Sequence, residues 1–326
     1  MNEIIIYFLA SFGVAVVVAP LAIRLLKRLK AGQSILHYVD FHEKKSGTPT
    51  MGGIIFILPF IVLTPIFIRF SHPLSLVVIT ASIGFALLGF LDDFIKIKTK
   101  NNQGLRAYQK IIGQGGIAVL VSVFYALLNP EGRILIPFVN EFVDIGLFIA
   151  PLVFIIMIAT TNAVNLTDGI DGLAGATSLV YLVFLGIILA IFQHTGFSTF
   201  PESHEFLLLI AIGIGGLFAF LLFNSNRAQV FMGDTGSLFL GSIIATLSVF
   251  SFLGFVILIL GLVFVWSALS VIIQVTYFKA TGGKRVFKMT PYHHHLEKKG
   301  WAEAKIVMHY VAITILLGVL LVWSLV

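Results

Sequence analysis

No cysteine occurs in the chain, which excludes disulfides, thiolate nucleophiles and cysteine-ligated metals. Charge is scarce too. Asp, Glu, Lys and Arg together make up 11% of 326 residues, whereas a soluble globular chain carries about 25%. No basic segment precedes the first apolar run, Ile4 to Ile23; Glu3 stands before it, and Arg24, Lys27, Arg28 and Lys30 follow. A cleavable signal puts its positive charge first and is shorter, so this run reads as a permanent span that enters from outside. Basic stretches interleaved with aromatics, which single-strand binders need, are also missing, so the +6 net charge does not point to nucleic acid. Neither an internal repeat nor a low-complexity tract stands out.

What fills the place of charge is apolar. Hydrophobic residues make up 58% of the chain, in repeated runs near 20 residues long. As a helix, such a run crosses a bilayer core of about 30 Å. The reading is a polytopic, all-α integral membrane protein, a single domain over residues 1–326. Ten spans are expected, at 3–23, 52–70, 74–91, 111–128, 145–163, 173–192, 206–223, 236–251, 254–276 and 306–325. The runs 52–91 and 236–276 are each long enough for two crossings, and charge decides their division. With ten spans and both termini outside, 19 of the 21 Lys and Arg fall in inner loops, and only Arg69 and Arg133 lie outside. Merging either pair would turn a strongly basic loop outward, against the cytoplasmic preference of cations. Arg133 to Phe142 alternates loosely, as a small hairpin does.

Polar residues that apolar packing does not explain gather at the inner ends of the spans. The first cluster is Asp92-Asp93-Phe-Ile-Lys96. On a continued helix Lys96 shares a face with either carboxylate, and adjacent carboxylates repel unless a cation or phosphate chemistry uses them. The second runs from Asn162 through Asn165, Thr167, Asp168 and Asp171 to Ala174, with no Lys or Arg to pair its acids. Its oxygen donors suit Mg²⁺ rather than zinc; a helix cap at Thr167 or Asp168 is the alternative. The third joins Asn224-Ser-Asn226-Arg227 to Gly233-Asp234-Thr235-Gly236-Ser237. Glycines at a helix start let backbone donors approach an anion; Asp234 can instead hold a metal bridging phosphates.

The fourth cluster is Pro291-Tyr-His293-His294-His295-Leu-Glu297 through Trp301. Three consecutive histidines cannot all point one way, and metalloprotease spacing is absent, so a three-histidine zinc site is not expected. Imidazoles can donate to phosphate oxygens. Two further segments are His42 to Gly53, with Lys45 and Thr50, and the basic Gly104 to Lys110, which reads first as a solvated inner loop. Together the clusters supply carboxylates for a metal, cations and amides for phosphate, and a membrane floor. That set suits phosphoryl transfer, where positioning and charge neutralisation carry most of the catalysis.

At these motifs the chain resembles the polyprenyl-phosphate N-acetylhexosamine-1-phosphate transferase superfamily, and within it the muramoyl-pentapeptide branch. HEKKSGTPTMGG, DDFIK with GLRAYQK, NAVNLTDGIDGLAG, GDTGSL and PYHHHLEKKGW occur in family order over nearly the whole length. The resemblance implies attack by undecaprenyl phosphate on UDP-MurNAc-pentapeptide, giving lipid I and UMP for peptidoglycan synthesis. It implies Mg²⁺, ten helices with both termini outside, cytoplasmic active-site loops in a bacterial plasma membrane, and a homodimer. It makes Asp234 the main Mg²⁺ ligand, with Asp92, Asp93 and Asp168 as further candidates, and gives one of the Asp92–Asp93 pair the deprotonation of the lipid phosphate. Lys96, Asn165, Asp168, Asp171 and Asn224 would hold the uridine and diphosphate region. Lys45 and Thr50 would line the same cleft, and His293, His294 and His295 would contact phosphate or sugar.

Two other readings compete. A sister enzyme using UDP-GlcNAc shares the general motifs but not the PYHHHLEKKGW tail. A secondary transporter would place its site near the midplane, and no Asp or Glu lies in the middle of any expected span.

Overall fold

The computed structural model describes residues 2–29, 47–67, 73–99, 104–195 and 203–325. Its helices are α1 (Asn2–Arg28), α2 (Ile54–Phe67), α3 (Pro73–Thr99), α4 (Ala107–Leu128), α5 (Ile149–Thr167) and α6 (Leu173–Thr195), then α7 (Ser203–Asn224), α8 (Gly233–Phe250), α9 (Val256–Leu260), α10 (Leu262–Ala280), α11 (Tyr292–Glu297) and α12 (Glu303–Leu325). Between α4 and α5 lies an antiparallel hairpin, β1 (Arg133–Ile136) and β2 (Glu141–Asp144), with Arg133 opposite Asp144 and Ile136 opposite Glu141.

Among the described residues, nine helices are long and apolar enough to cross a membrane: α1, α3, α4, α5, α6, α7, α8, α10 and α12. α2 is equally apolar but has 14 residues, about 21 Å of helix. The expected second span, 52–70, continues beyond it into residues outside those described. The expected ninth span, 254–276, is not one helix. α9 ends and α10 begins at Gly261, where a Cβ would stand 2.6 Å from the Ile257 carbonyl oxygen. The hairpin forms where alternation suggested one, and the Leu135 amide ties it to the Phe252 carbonyl at 2.9 Å, beyond the C-terminal end of α8.

α8 is the centre of the bundle, and every residue from Thr235 to Phe250 is buried. Helices in lipid associate without a hydrophobic drive between them, so close backbone approach at small residues matters most. α8 meets its neighbours in that way. A Cβ on Gly89 of α3 would lie 2.2 Å from the Asp234 carbonyl oxygen, and one on Gly241 would lie 2.6 Å from the Thr161 Cα of α5. One on Gly53, just ahead of α2, would lie 2.3 Å from the Gly236 Cα. Some buried hydroxyls tie α8 to its neighbours: Tyr181 bonds Ser248 at 2.7 Å and Tyr125 donates to the Val249 carbonyl at 2.9 Å. Others, such as Thr161 and Thr246, return to the carbonyl four residues back, an arrangement helices tolerate. The result joins the C-terminal ends of α3, α5 and α7 to the N-terminal ends of α4, α6 and α8. The hairpin stands at the opposite end.

Candidate active site

Three carboxylates meet at that junction. One oxygen each of Asp92, Asp93 and Asp234 lies within 4.8 Å of the others. Asp92 and Asp93 come from the last turns of α3 and Asp234 from the first turn of α8, brought together by the contact at Gly89. Two ammoniums share these oxygens. Lys96 Nζ stands 2.5 Å from Asp92, 3.7 Å from Asp93 and 2.9 Å from Asp234. Lys110 Nζ, from the first turn of α4, stands 2.7 Å from Asp234 and 3.8 Å from Asp92. Three carboxylates and two ammoniums leave one net negative charge, at oxygens that are hard donors. This donor set fits a divalent cation, and such an ion would share the carboxylates with the lysines.

The backbone holds each acid in place. Asp93 Oδ2 accepts from the amide and the hydroxyl of Thr235, at 2.9 and 2.7 Å. Asp92 Oδ1 accepts from the Leu105 amide at 2.9 Å, and a Cβ on Gly104 would strike its carboxylate at 2.6 Å. The GTPTMGG segment reaches the site by strand-like pairing. Phe231 donates to Pro49, Gly52 to Phe231 and Gly53 to Met232, all within 2.9 Å. That pairing puts Thr50 Oγ1 and Asp93 Oδ2 within 2.7 Å of the Cβ that Gly233, at φ +74, lacks. The positive φ and the crowding both demand glycine there.

The last turn of α5 and the loop after it form the next wall. Asn165 donates to Asp234 Oδ1 and to Ser237 Oγ, both at 2.7 Å. Burial, together with the charges of Asp234 and Asp93, pushes the Asp168 carboxyl up to about 8, against a lowering contribution from the Gly233 amide. Asn162 points elsewhere, paired with Gln114 at 2.8 Å. Asp171 and Asn224 are buried and turned to the chain's own backbone. Asp171 accepts from the Ala228 amide at 3.0 Å, while Asn224 accepts from Gly172 at 3.1 Å and donates to Val230 at 2.9 Å. They staple the loop to the α7–α8 connection.

The histidines divide. A Cβ on Gly169 would lie 2.2 Å from His293 Nε2 and 3.1 Å from His294 Nε2, so both rings pack on the aspartate loop. His294 Nδ1 lies 2.5 Å from Glu297 Oε2, which leaves its Nε2 turned toward Gly169. His295 faces the other way: its Nδ1 accepts from the Lys288 amide at 3.0 Å and its ring stacks on Tyr292. Burial, with Lys299 and Lys288 nearby, holds its pKa below the usual histidine value.

Sequence reasoning named most of this cluster; it included Thr235, Ser237 and Glu297 in its motifs without giving them a role, and gave none to Lys110. Lys110 read as one more inner-loop cation, and no local spacing ties it to residues 92–96. Lys45 lies outside the described residues.

Two family models match the chain. Glycosyl transferase family 4 covers residues 75–252, more than half the chain, and phospho-N-acetylmuramoyl-pentapeptide-transferase signature 1 covers residues 45–57. Curated proteins named phospho-N-acetylmuramoyl-pentapeptide-transferase are similar over nearly their whole lengths. That of Listeria innocua is 42% identical over 93% of this chain and 92% of its own. That of Clostridium botulinum is 43% identical over 96% and 93%. That of Halalkalibacterium halodurans is 40% identical over 98% and 97%.

Proposed function

The chain belongs to the phospho-N-acetylmuramoyl-pentapeptide-transferase family, and on that premise we propose that it converts UDP-MurNAc-pentapeptide and undecaprenyl phosphate to lipid I and UMP. The observation that carries the reading is the meeting of Asp92, Asp93 and Asp234 with Lys96 and Lys110 at one end of a membrane bundle. An oxygen of the polyprenyl phosphate bonds to the β-phosphorus of the nucleotide, and the bond from that phosphorus to the UMP oxygen breaks. Lys96 and Lys110 offset phosphate charge, the role on which phosphoryl transfer mainly depends. One of Asp92 and Asp93 takes the proton of the lipid phosphate. Asp234, with Asp92 and Asp93 and with Asp168 close by, would hold Mg²⁺, which supplies charge neutralisation at the diphosphate when bound.

Asn165 and Asp168 are assigned to the uridine and diphosphate, with the loop after α5 held in place by Asp171 and Asn224. Thr50 stands beside Gly233 at the edge, and Lys45 is assigned to the same cleft by its motif alone. His293 and His294 face the phosphate or sugar from above Gly169; His295 serves through the position of α11. The whole chain acts as a single domain of ten crossings, α2 being one and α9 with α10 another. Both termini lie outside and the aspartates face the cytoplasm, as the crowding of basic residues at that end supports. The working form is a homodimer in the bacterial plasma membrane.

Purified protein in detergent, given undecaprenyl phosphate and Mg²⁺, tests the reading by release of UMP. UDP-MurNAc-pentapeptide should be consumed and UDP-GlcNAc spared, with no release after chelation. Consumption of UDP-GlcNAc instead would move the protein to the sister activity, and no release from either would overturn the proposal.

A further inference from the structure

The buried stripe of α10 has no part in the site described so far. Of its 19 residues, Val263, Phe264, Ser267, Ser270 and Gln274 are buried. Positions 263, 267, 270 and 274 follow steps of three and four that keep them on one face. The last two face the segment that leads into α11. Gln274 Oε1 accepts from the amides of Val286 at 3.1 Å and Phe287 at 2.8 Å. Ser270 Oγ accepts from the Tyr292 amide at 3.0 Å and donates to the Ser267 carbonyl at 2.7 Å. Between them, the Lys288 amide donates to His295 at 3.0 Å. Both ends of the segment 286–292 are therefore tied to α10, and its middle is tied to α11.

Rings close the same arrangement. Phe287 meets Tyr292 at 5.9 Å and His295 at 5.6 Å, and Trp266 of α10 meets Tyr292 at 5.7 Å, all as centroid separations. α11 has six residues, too few to hold a helix by itself, so these ties determine its place. It carries His293 and His294, which rest on Gly169 between Asp168 and Asp171.

We infer that Gln274 is a positioning residue for the transfer reaction: through Val286, Phe287 and α11 it sets where His293 and His294 stand over the aspartate loop. The inference rests on the functional reading above, in which those histidines face the nucleotide substrate. Both partners of Gln274 are N–H donors, so the accepting atom is its side-chain oxygen. Its Nε2 has no hydrogen-bond partner among the described residues. Glutamate therefore keeps every hydrogen bond that Gln274 makes, and methionine, of similar length, keeps neither.

The test compares wild type, Gln274→Met and Gln274→Glu, full length in detergent, by steady-state UMP release and by NMR of histidine-labelled protein. Gln274→Met should raise the KM for UDP-MurNAc-pentapeptide about tenfold, the scale of one ordinary hydrogen bond. The KM for undecaprenyl phosphate should stay within about twofold, as expected if only nucleotide contacts are disturbed. The ring signals of His293 and His294 should shift in Gln274→Met and return in Gln274→Glu along with the KM. Unchanged ring signals and nucleotide KM in Gln274→Met would overturn the inference. So would a common rise of both KM values that glutamate fails to reverse, since that marks a residue serving only the fold. If the wild type released no UMP, the functional reading would fail, and the ring signals alone would then decide whether Gln274 positions the histidines.

Discussion

Asp234 is the most heavily engaged side chain of the site, with Asn165 on one oxygen and both Lys96 and Lys110 on the other. Asp234→Asn keeps the size but places an amide donor where the two ammoniums bind. Turnover should fall by at least about 10²-fold, the scale of losing a preorganised electrostatic contact at a reacting centre. Lys110→Met removes one of the two cations and should lower the rate of UMP release by a similar factor, roughly 10²-fold. Retained turnover in either variant, at equal folded protein, would remove that residue from the chemistry. His295 makes a different prediction. Its neutral Nδ1 accepts the Lys288 amide and its pKa is depressed, so the unfolded form takes up the proton first. Its contribution is therefore complete above the unfolded value of about 6.5 and is lost as pH falls below it. Amide exchange at Lys288, corrected for intrinsic rate, should stay constant above about pH 6.5 and quicken as pH falls from there toward about 5. At this scale the sequence was most legible where partners are close in the chain. The Asp92–Lys96 pair follows from helical spacing, whereas Lys110 meets Asp234 across 124 positions and Gln274 accepts from amides 12 and 13 positions on, beyond any helical period.

Helices meet at glycines in this fold, and Gly241 shows the consequence for an element. A Cβ there would stand 2.6 Å from the Thr161 Cα and 3.2 Å from two backbone oxygens of α5. Backbone cannot swing aside as a flexible side chain can, so Gly241→Ala should force α8 away from α5. The cost is expected at about 1–3 kcal/mol, read as a lower Tm in detergent and, because Asn165 and Asp234 part, a lower rate of UMP release. A Tm unchanged from wild type would mean that the two helices separate freely. Gly115, with open space around its missing Cβ, is the control and should accept alanine without loss. Element type and extent were legible from the apolar runs, apart from the break at Gly261. The sequence around Gly261 is apolar on both sides, so hydropathy has nothing to register at that point.

The absence of cysteine makes the orientation of the whole molecule directly measurable. Glu131→Cys, beside the hairpin, should react with a membrane-impermeant maleimide in intact cells. Lys284→Cys, in the segment between α10 and α11, should react only after permeabilisation. The opposite pattern would invert the proposed topology and place the aspartates on the outer face.

By itself, the sequence determined the solvent of this protein, its helical class and the chemical character of its loops. Those properties are sums over local stretches: apolar length against bilayer thickness, charge bias along the loops, and acids with no nearby cation to pair them. Only the tertiary structure decided which acids share a site, that Lys110 joins Lys96 there, and that His293 and His294 face the aspartate loop while His295 turns away. Those outcomes depend on how closely α3, α5 and α8 approach one another at Gly89 and Gly241, and on the ties from α10 to α11. Contacts between residues separated by more than a few turns of chain leave no period or spacing in the sequence, because packing in three dimensions alone brings them together.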